Sequence, residues 1–151
     1  MLITKILLGI KMEQISKVEN LNFKDSKYAT GRRKKSIAKV WLKKGSGKII
    51  VNGKDYGEYF KRVNHKSELT KPFEIINQTT SYDVKCSVKG GGHSGQVGAM
   101  IHGISKALLQ FDSALKPALK KEKLTTRDSR AVERKKYGHR KARRSFQFSK
   151  R

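Results

Sequence analysis

Three glycines in the middle of the chain have the spacing of a nucleotide-binding loop. Gly90, Gly92 and Gly95 form the pattern G-x-G-x-x-G between a predicted strand and a predicted helix. In a dinucleotide-binding fold such glycines let a pyrophosphate approach the helix start, and an acidic residue follows about twenty positions later, as Asp112 does here. That fold also needs a further parallel strand, and the lysine-rich sequence beyond Phe111 has no apolar run to form it. We therefore prefer the interpretation that the glycines allow a sharp turn and close helix packing, or let a phosphate reach the first helical amides.

The other residue types that support catalysis or metal binding are sparse. The single cysteine, Cys86, falls on the apolar face of a predicted strand, so we predict a buried thiol and neither a disulfide framework nor a cysteine-based zinc site. The few carboxylates are mostly flanked by Lys or Arg, which suits charge balance better than acid–base catalysis. We predict no enzymatic activity, no metal and no cofactor. The histidines form no i, i+4 pair and have no neighbouring cysteine: His65, His93, His102 and His139.

The strongest signal is the positive charge at the end of the chain. The 151 residues include 36 Lys and Arg against 12 Asp and Glu, which gives a net charge of +24. Residues 116–151 hold fifteen of those cations and only three acids, so their net charge of +12 is half of the total. Such a segment has too few apolar side chains to collapse alone. Because each phosphate neutralised by Lys or Arg releases condensed counterions, we predict a nucleic-acid partner.

Aromatic residues interrupt the basic clusters and favour RNA over duplex DNA. Tyr137, Phe146 and Phe148 lie among the clusters, so their rings can stack on unpaired bases while the cations bind phosphates. Loops with exposed bases are typical of folded RNA. Fully extended, residues 125–151 would reach on the order of 90 Å, far beyond any core that this chain can form. We therefore predict an arm that enters a large RNA.

Hydrophobic periodicity predicts the strands that position these residues. Strict alternation of apolar and polar side chains predicts a strand over 82–89 with one buried and one solvated face. The apolar run 36–42 and the short run 49–51 predict two strands joined as a hairpin by the glycine-rich turn between them.

A helix is predicted directly after the glycines, with Ser94 as its N-cap. Its apolar stripe consists of Val97, Met100, Ile101, Ile104, Leu108 and Phe111. Periodicity stops after Leu124. Shorter helices are predicted over 56–60, 67–76, which contains Pro72, and 113–123.

The first 27 residues differ in character from the rest. Their apolar run is too short to cross a bilayer and contains Lys5. A mitochondrial transit peptide is rich in Arg and poor in acids, whereas here no Arg precedes Arg32 and three acids precede Tyr28. Met12 begins a polar segment and is an alternative start site. We predict a poorly ordered extension over 1–27, a globular domain over 28–124 and a basic arm over 125–151.

Seven segments between residues 30 and 151 form an ordered set of motifs: TGRRKKSIAKVWL (30–42), GGGHSGQ (90–96), HGISKAL (102–108), TRDSR (126–130), ERKKYG (133–138), RKARR (140–144) and QFSKR (147–151). In this order they resemble small-subunit ribosomal protein nine of the bacterial type. Their number and order make the resemblance, which covers residues 28–151, far more specific than any one motif. Two features depart from the family: the extension before Tyr28 is not shared, and Thr125 stands where an apolar residue is usual.

The resemblance implies an α/β fold: one small domain of the ribosomal protein five second-domain type, with a mixed sheet packed against helices and an extended basic C-terminal arm. It implies a structural protein of the small-subunit head whose partners are small-subunit ribosomal RNA, peptidyl-site transfer RNA and neighbouring head proteins. We expect no membrane partner and no homo-oligomer, and a location in the bacterial cytoplasm or alternatively the mitochondrial matrix. The alternative function is a free-standing basic RNA- or DNA-binding protein.

The resemblance also assigns binding residues. Transfer-RNA contact falls on the last three, Ser149, Lys150 and Arg151, of which Arg151 can hold a phosphate with two parallel hydrogen bonds. Ribosomal RNA binding falls on the cations near the first strand, on the glycine turn and on the arm. These residues are Arg32, Arg33, Lys34, Lys35, Gly91, Gly92, His93, Ser94, Gln96, Arg127, Arg130, Arg134, Lys135, Lys136, Arg140, Lys141, Arg143 and Arg144.

Overall fold

Five strands form one mixed sheet in the computed structural model, which describes residues 23–149. The sheet has the order β1-β2-β5-β3-β4. All neighbouring strands pair antiparallel except β3 and β5, which are parallel. The predicted mixed sheet is therefore confirmed. The strands are β1 (Lys27–Arg33), β2 (Ser36–Lys44), β3 (Ile49–Val51), β4 (Lys54–Asp55) and β5 (Tyr82–Lys89).

Helices cover one face of this sheet. The longest, α3 (His93–Phe111), packs across β1 and β2, and α2 (Val63–Ile75) packs beside it. The predicted stripe of α3 is confirmed, because Val97, Met100, Ile104 and Leu108 are fully buried against the sheet while Ile101 and Phe111 lie at its margin. The shorter helical elements are α1 (Tyr56–Tyr59), a 3-10 turn (Ser113–Leu115) and α4 (Lys116–Lys121).

The predicted hairpin between 36–42 and 49–51 is wrong. Both segments are strands, but β5 lies between them and pairs with each. The turn sequence between β2 and β3 makes its contacts with β5, because the carboxylate of Asp83 accepts hydrogen bonds from the backbone N–H groups of Ser46 (2.8 Å) and Lys48 (2.9 Å). Strand β1 was not predicted, since its two buried positions hold the small residues Ala29 and Gly31 and give no apolar alternation.

Asp83 also departs from the predicted solvated face of its strand, because it is buried with 7% of its surface exposed. Burial opposes its ionisation, but the backbone N–H groups of Lys48, Ser46 and Gly47 and the Ser46 hydroxyl outweigh burial and lower the pKa of Asp83. The carboxylate therefore acts as an ionised clamp on the loop from 45 to 48.

We expect Asp83→Asn to lower the free energy of unfolding by about 1–3 kcal/mol, because two partly buried backbone amides lose a charged acceptor. The lowered pKa makes the wild-type contribution fully present above about pH 3.9, the ordinary Asp value, and lost as the pH falls through the folded-state pKa. Urea unfolding at pH 7 and pH 3 measures both effects. Asp25→Asn is the matched control, because Asp25 is exposed. Equal stabilities of the two variants at pH 7 would contradict the clamp.

Helix boundaries differ from prediction for identifiable reasons. Gly92, not Ser94, is the N-cap of α3, and the Ser94 hydroxyl instead pairs with His65. Helix α2 begins at Val63, earlier than the predicted 67, and continues through the buried Pro72. The predicted helix over 113–123 divides into the 3-10 turn and α4, with a proline in the first turn of α4.

Strand β1 and helix α3 approach each other more closely than any side chain would permit. A Cβ added to Gly31 would overlap the carbonyl oxygen of Ala99 and the backbone of Gly103. A Cβ on Gly103 would lie 2.6 Å from Cγ2 of Val40. This close backbone contact lies where α3 packs against β1 and β2.

Over residues 23–149, no helix is long and apolar enough to cross a membrane. Within the same range no group of His, Cys, Asp and Glu is arranged to hold a metal ion. The predicted extension over 1–27 lies mostly outside the described residues.

Candidate nucleic-acid interface

The glycine turn connects the end of β5 to the start of α3. Gly90 and Gly91 adopt φ values of +74° and +62°, a conformation that L side chains rarely adopt. A Cβ on Gly91 would overlap the hydroxyl of Ser36, whereas a Cβ on Gly92 would have no atom within 4 Å. The first two glycines are therefore required by the turn, and the third leaves the start of α3 open to solvent.

Polar side chains fix this turn from both sides. The carbonyl oxygen of Gly90 accepts hydrogen bonds from Ser36 Oγ (3.1 Å) and from Gln96 Nε2 (3.2 Å). The hydroxyl of Tyr59 donates to Gln96 Oε1 (3.1 Å), which links α1 to the first turn of α3. The turn thus has a defined shape before any ligand arrives.

A cavity of about 500 Å³ opens at the start of α3. Three cations line it, Lys34, Lys61 and Arg62, and its lining contains no carboxylate. The first N–H groups of α3 have no acceptor within the helix, and the helix dipole adds positive potential there. This arrangement suits a phosphate group. The remaining lining residues are Tyr59, His65, Gly92, His93, Ser94 and Gly95.

Aromatic and imidazole rings form the wall of this cavity. His93 lies edge-on to Tyr59 (5.7 Å between ring centroids) and to Phe60 (6.0 Å). His65 also meets Phe60 edge-on, and its Nε2 lies 3.2 Å from the Ser94 hydroxyl. The rings therefore hold the two histidines beside the open helix start.

A second groove, of about 310 Å³, marks the place where the basic arm leaves the domain. Asp128 lies between two guanidinium groups: Arg130 donates to both of its oxygens, and Arg33 Nη2 lies 3.3 Å from Oδ2. The hydrogen bonds from Arg130 and the charge of Arg33 hold the pKa of Asp128 well below its usual range. Within the part of the chain that the structure describes, the buried Nε of Arg33 has no hydrogen-bond partner.

His102 is a second attachment for the base of the arm. Its Nδ1 accepts a hydrogen bond from the backbone N–H of Arg32 (3.3 Å), and its ring also bonds to the backbone of Thr125. Burial lowers the pKa of His102, as do the charges of Lys106 and Arg127, while the bond to Thr125 opposes the shift. The neutral ring therefore connects β1, α3 and the start of the arm.

The arm beyond Arg130 lies on the outside of the protein. Every Lys and Arg between 127 and 144 is exposed, and Phe148 exposes 83% of its surface. Residues 139–145 form a small loop, closed by the N–H of Arg140 bonding to the carbonyl of Arg144 (2.8 Å). Glu133 accepts two hydrogen bonds from Arg143 (2.6 and 2.9 Å).

Comparison with known protein families identifies the family of the chain. A family model described as ribosomal protein S9/S16 matches residues 31–151. The chain belongs to the ribosomal protein S9/S16 family. Members of this family are structural, non-enzymatic proteins of the ribosome that bind ribosomal RNA and other ribosomal proteins. This assignment rules out the dinucleotide-binding enzyme that the glycine pattern resembled, and the mixed sheet with its packed helices is consistent with the family fold.

The predicted residues of this S9/S16 protein fall into three groups. Lys34, Gly92, His93 and Ser94 line the cavity at the start of α3, with Gly91 and Gln96 in the adjoining turn. Arg32 and Arg33 line the groove at the base of the arm, and Lys35 is exposed in the β1–β2 turn. Lys150 and Arg151 lie outside the described residues, and Ser149 is exposed. The third group lies along the arm: Arg127, Arg130, Arg134, Lys135, Lys136, Arg140, Lys141, Arg143 and Arg144.

Several residues of the candidate interface were not predicted from the sequence. Lys61, Arg62 and His65 line the first cavity although they lie some thirty residues before the glycines. The basic pair directly after Tyr59 and Phe60 was an available signal, because it combines cations with rings. The sequence indicated no partner for His102, whereas the structure gives it two backbone partners.

Proposed function

We propose that this chain is the bacterial-type small-subunit protein nine, a structural component of the subunit head. The observation that carries the proposal is the exposed arm, in which all cations from 127 to 144 face solvent and aromatic rings lie between them. A polyanion would neutralise the charge of this arm, and unpaired bases could stack on its rings.

The two cationic sites of the domain are the proposed ribosomal RNA contacts. The cavity at the start of α3 offers Lys34, Lys61 and Arg62 to one phosphate region, together with free helical amides. The groove at the base of the arm offers Arg32 and Arg33 to a second. Because the arm begins in this groove, RNA bound there would guide the arm into the subunit.

The end of the arm is the proposed contact with peptidyl-site transfer RNA. Ser149, Lys150 and Arg151 would meet the backbone of its anticodon stem-loop, with Arg151 as the main phosphate ligand. The proposed chain has three parts: an extension over 1–27, a domain that docks on RNA over 28–124, and an extended arm over 125–151. We propose further contacts with neighbouring head proteins, no self-association, and a bacterial ribosome in the cytoplasm, with the mitochondrial matrix as the alternative location.

Sedimentation tests the assignment. In moderately high salt the protein should stay with the small ribosomal subunit, because many phosphate contacts and buried surfaces act together. A free-standing basic protein should instead wash off as its electrostatic affinity falls. Residue-level crosslinking of the retained protein to ribosomal RNA should then fall on the cavity, the groove and the arm. Loss from the subunit at moderate salt would refute the ribosomal role.

Deletion of residues 149–151 should leave the fold and subunit assembly intact but weaken transfer-RNA binding to the peptidyl site, because a terminal guanidinium is lost. The measurement is transfer-RNA affinity of reconstituted subunits over a salt series. Arg151→Lys is the matched control, since it keeps the charge and loses only the two parallel hydrogen bonds. Unchanged affinity of the deletion at every salt concentration would contradict the proposed contact.

A further inference from the structure

The face of the sheet opposite the helices carries an aromatic pair. Side chains alternate along a strand, so the residues between the buried Ala38, Val40 and Leu42 of β2 point away from the core. Trp41 is one of them, and Tyr28 on β1 is its direct cross-strand partner. Their ring centroids are 5.4 Å apart with the planes tilted by 45°.

A cleft of about 280 Å³ lies on this face beside Trp41. Ile37 lines the cleft with 42% of its surface exposed, and Tyr28, which contacts Trp41 but does not line the cleft, is 44% exposed. Lys39 and Lys89 flank the cleft, and Ser87 completes it. The lining therefore combines a large ring, an aliphatic side chain and two amines.

The charge of this face is positive. Strands β1, β2 and β5 together contain one acidic residue, Asp83, and its carboxylate is already occupied by the loop from 45 to 48. Lys85, which pairs with Trp41 across the strands, lies with its Nζ 5.8 Å from the ring centroid of Phe23. Lys39 and Lys89 are thus the exposed cations that border the cleft.

We propose that this face binds unpaired nucleotides of RNA, separately from the helix cavity and the arm. Bases would stack on Trp41 and Tyr28, and the connecting phosphates would meet Lys39 and Lys89. A partner rich in apolar side chains would leave the two amines without counter-charges, which favours a nucleic-acid strand over a protein segment. The proposal extends the RNA binding of the family and does not depend on the transfer-RNA contact.

The single tryptophan of the chain provides a direct test with the full-length protein. Oligouridylate should quench the fluorescence of Trp41, because a stacked base contacts the indole. Inorganic polyphosphate should bind the arm without comparable quenching, because it has no bases. Equal quenching by both probes, or none by oligouridylate, would overturn the proposal.

Substitutions separate stacking from charge. Trp41→Ala should weaken binding of labelled oligouridylate about 5-fold or more, and Trp41→Phe should retain most of it. Because Trp41→Ala could perturb folding, the double variant Lys39→Gln/Lys89→Gln tests the same face without touching a ring, and a 3-fold or larger loss is expected. The double variant Lys54→Gln/Lys121→Gln is the charge-matched control, because it removes two exposed charges on β4 and α4 that do not line the cleft.

The competing occupant is a neighbouring ribosomal protein. Shielding of Trp41 in the assembled small subunit that persists after ribonuclease digestion, with no crosslink from Trp41 to RNA, would assign the face to protein and overturn the proposal. Retention of the variant proteins in sedimenting subunits is measured in parallel, so that failure of this site remains distinct from failure of the ribosomal assignment.

Discussion

Deletion of residues 126–151 is expected to flatten the salt dependence of RNA binding and to weaken that binding strongly. The segment carries eleven Lys and Arg and two acids, a net charge of +9. Each phosphate contact contributes about 0.7–0.9 to the slope of log affinity against log salt. We expect the slope to decrease by at least about 3, and by about 6–8 if all nine charges meet phosphates. The slope is measured from the binding of labelled small-subunit ribosomal RNA over a series of salt concentrations.

The control for this deletion must separate lost contacts from lost folding. A truncation after Arg130 keeps the bonds of Thr125 to His102 and of Asp128 to Arg33, which attach the base of the arm. This truncated protein should unfold at the wild-type temperature. It should still show most of the decrease in the salt slope that the longer deletion causes, because seven cations of the described arm lie beyond Arg130. A slope equal to that of the full-length protein would show that the arm does not bind phosphates.

Gly31→Ala is expected to destabilise the domain by about 3 kcal/mol or more. The new Cβ would overlap the backbone of Ala99 and Gly103, and backbone atoms cannot rotate away as a flexible side chain can. Helix α3 would have to move off β1, which exposes part of the core between them. Urea unfolding monitored by circular dichroism measures the loss.

Gly92→Ala is the matched control for stability, since its Cβ would meet no atom within 4 Å and its φ is −108°. We expect its free energy of unfolding to stay within about 1 kcal/mol of wild type. If Gly31→Ala were equally well tolerated, the close approach of β1 and α3 would not be a requirement of the fold.

The sequence predicted the elements whose side chains carry strong periodicity. Strand β5 and helix α3 were both found, because each repeats apolar residues at the spacing of its element. These residues are Tyr82, Val84, Cys86 and Val88 in β5, and Val97, Met100, Ile104 and Leu108 in α3. Strand β1 was missed because Gly31 packs through backbone contact and leaves no hydrophobic signal. The order of the sheet was also missed, since the pairing of β2 with β5 joins residues that are far apart in the chain.

The candidate site was predictable where residue identity alone indicates a role. Clustered cations and the glycine turn were found in this way, and the structure brings Lys34 and Ser94 to the same cavity at the start of α3. The contributions of Lys61 and Arg62 depend on how α1 and α2 connect, which no local pattern encodes. The attachment of the arm depends on Asp128 and His102, whose partners lie in distant β1.

The central position of β5 has a consequence for synthesis. Strand β2 is complete at Lys44, but its second hydrogen-bonding edge finds its partner only after the ribosome has added β5, which begins at Tyr82. At roughly 5–20 residues per second, the 38 intervening additions take about 2–8 s. During that interval the nascent hairpin of β1 and β2 presents an unpaired edge that is open to aggregation. The lysines of β2 supply electrostatic repulsion between nascent chains until β5 pairs with this edge.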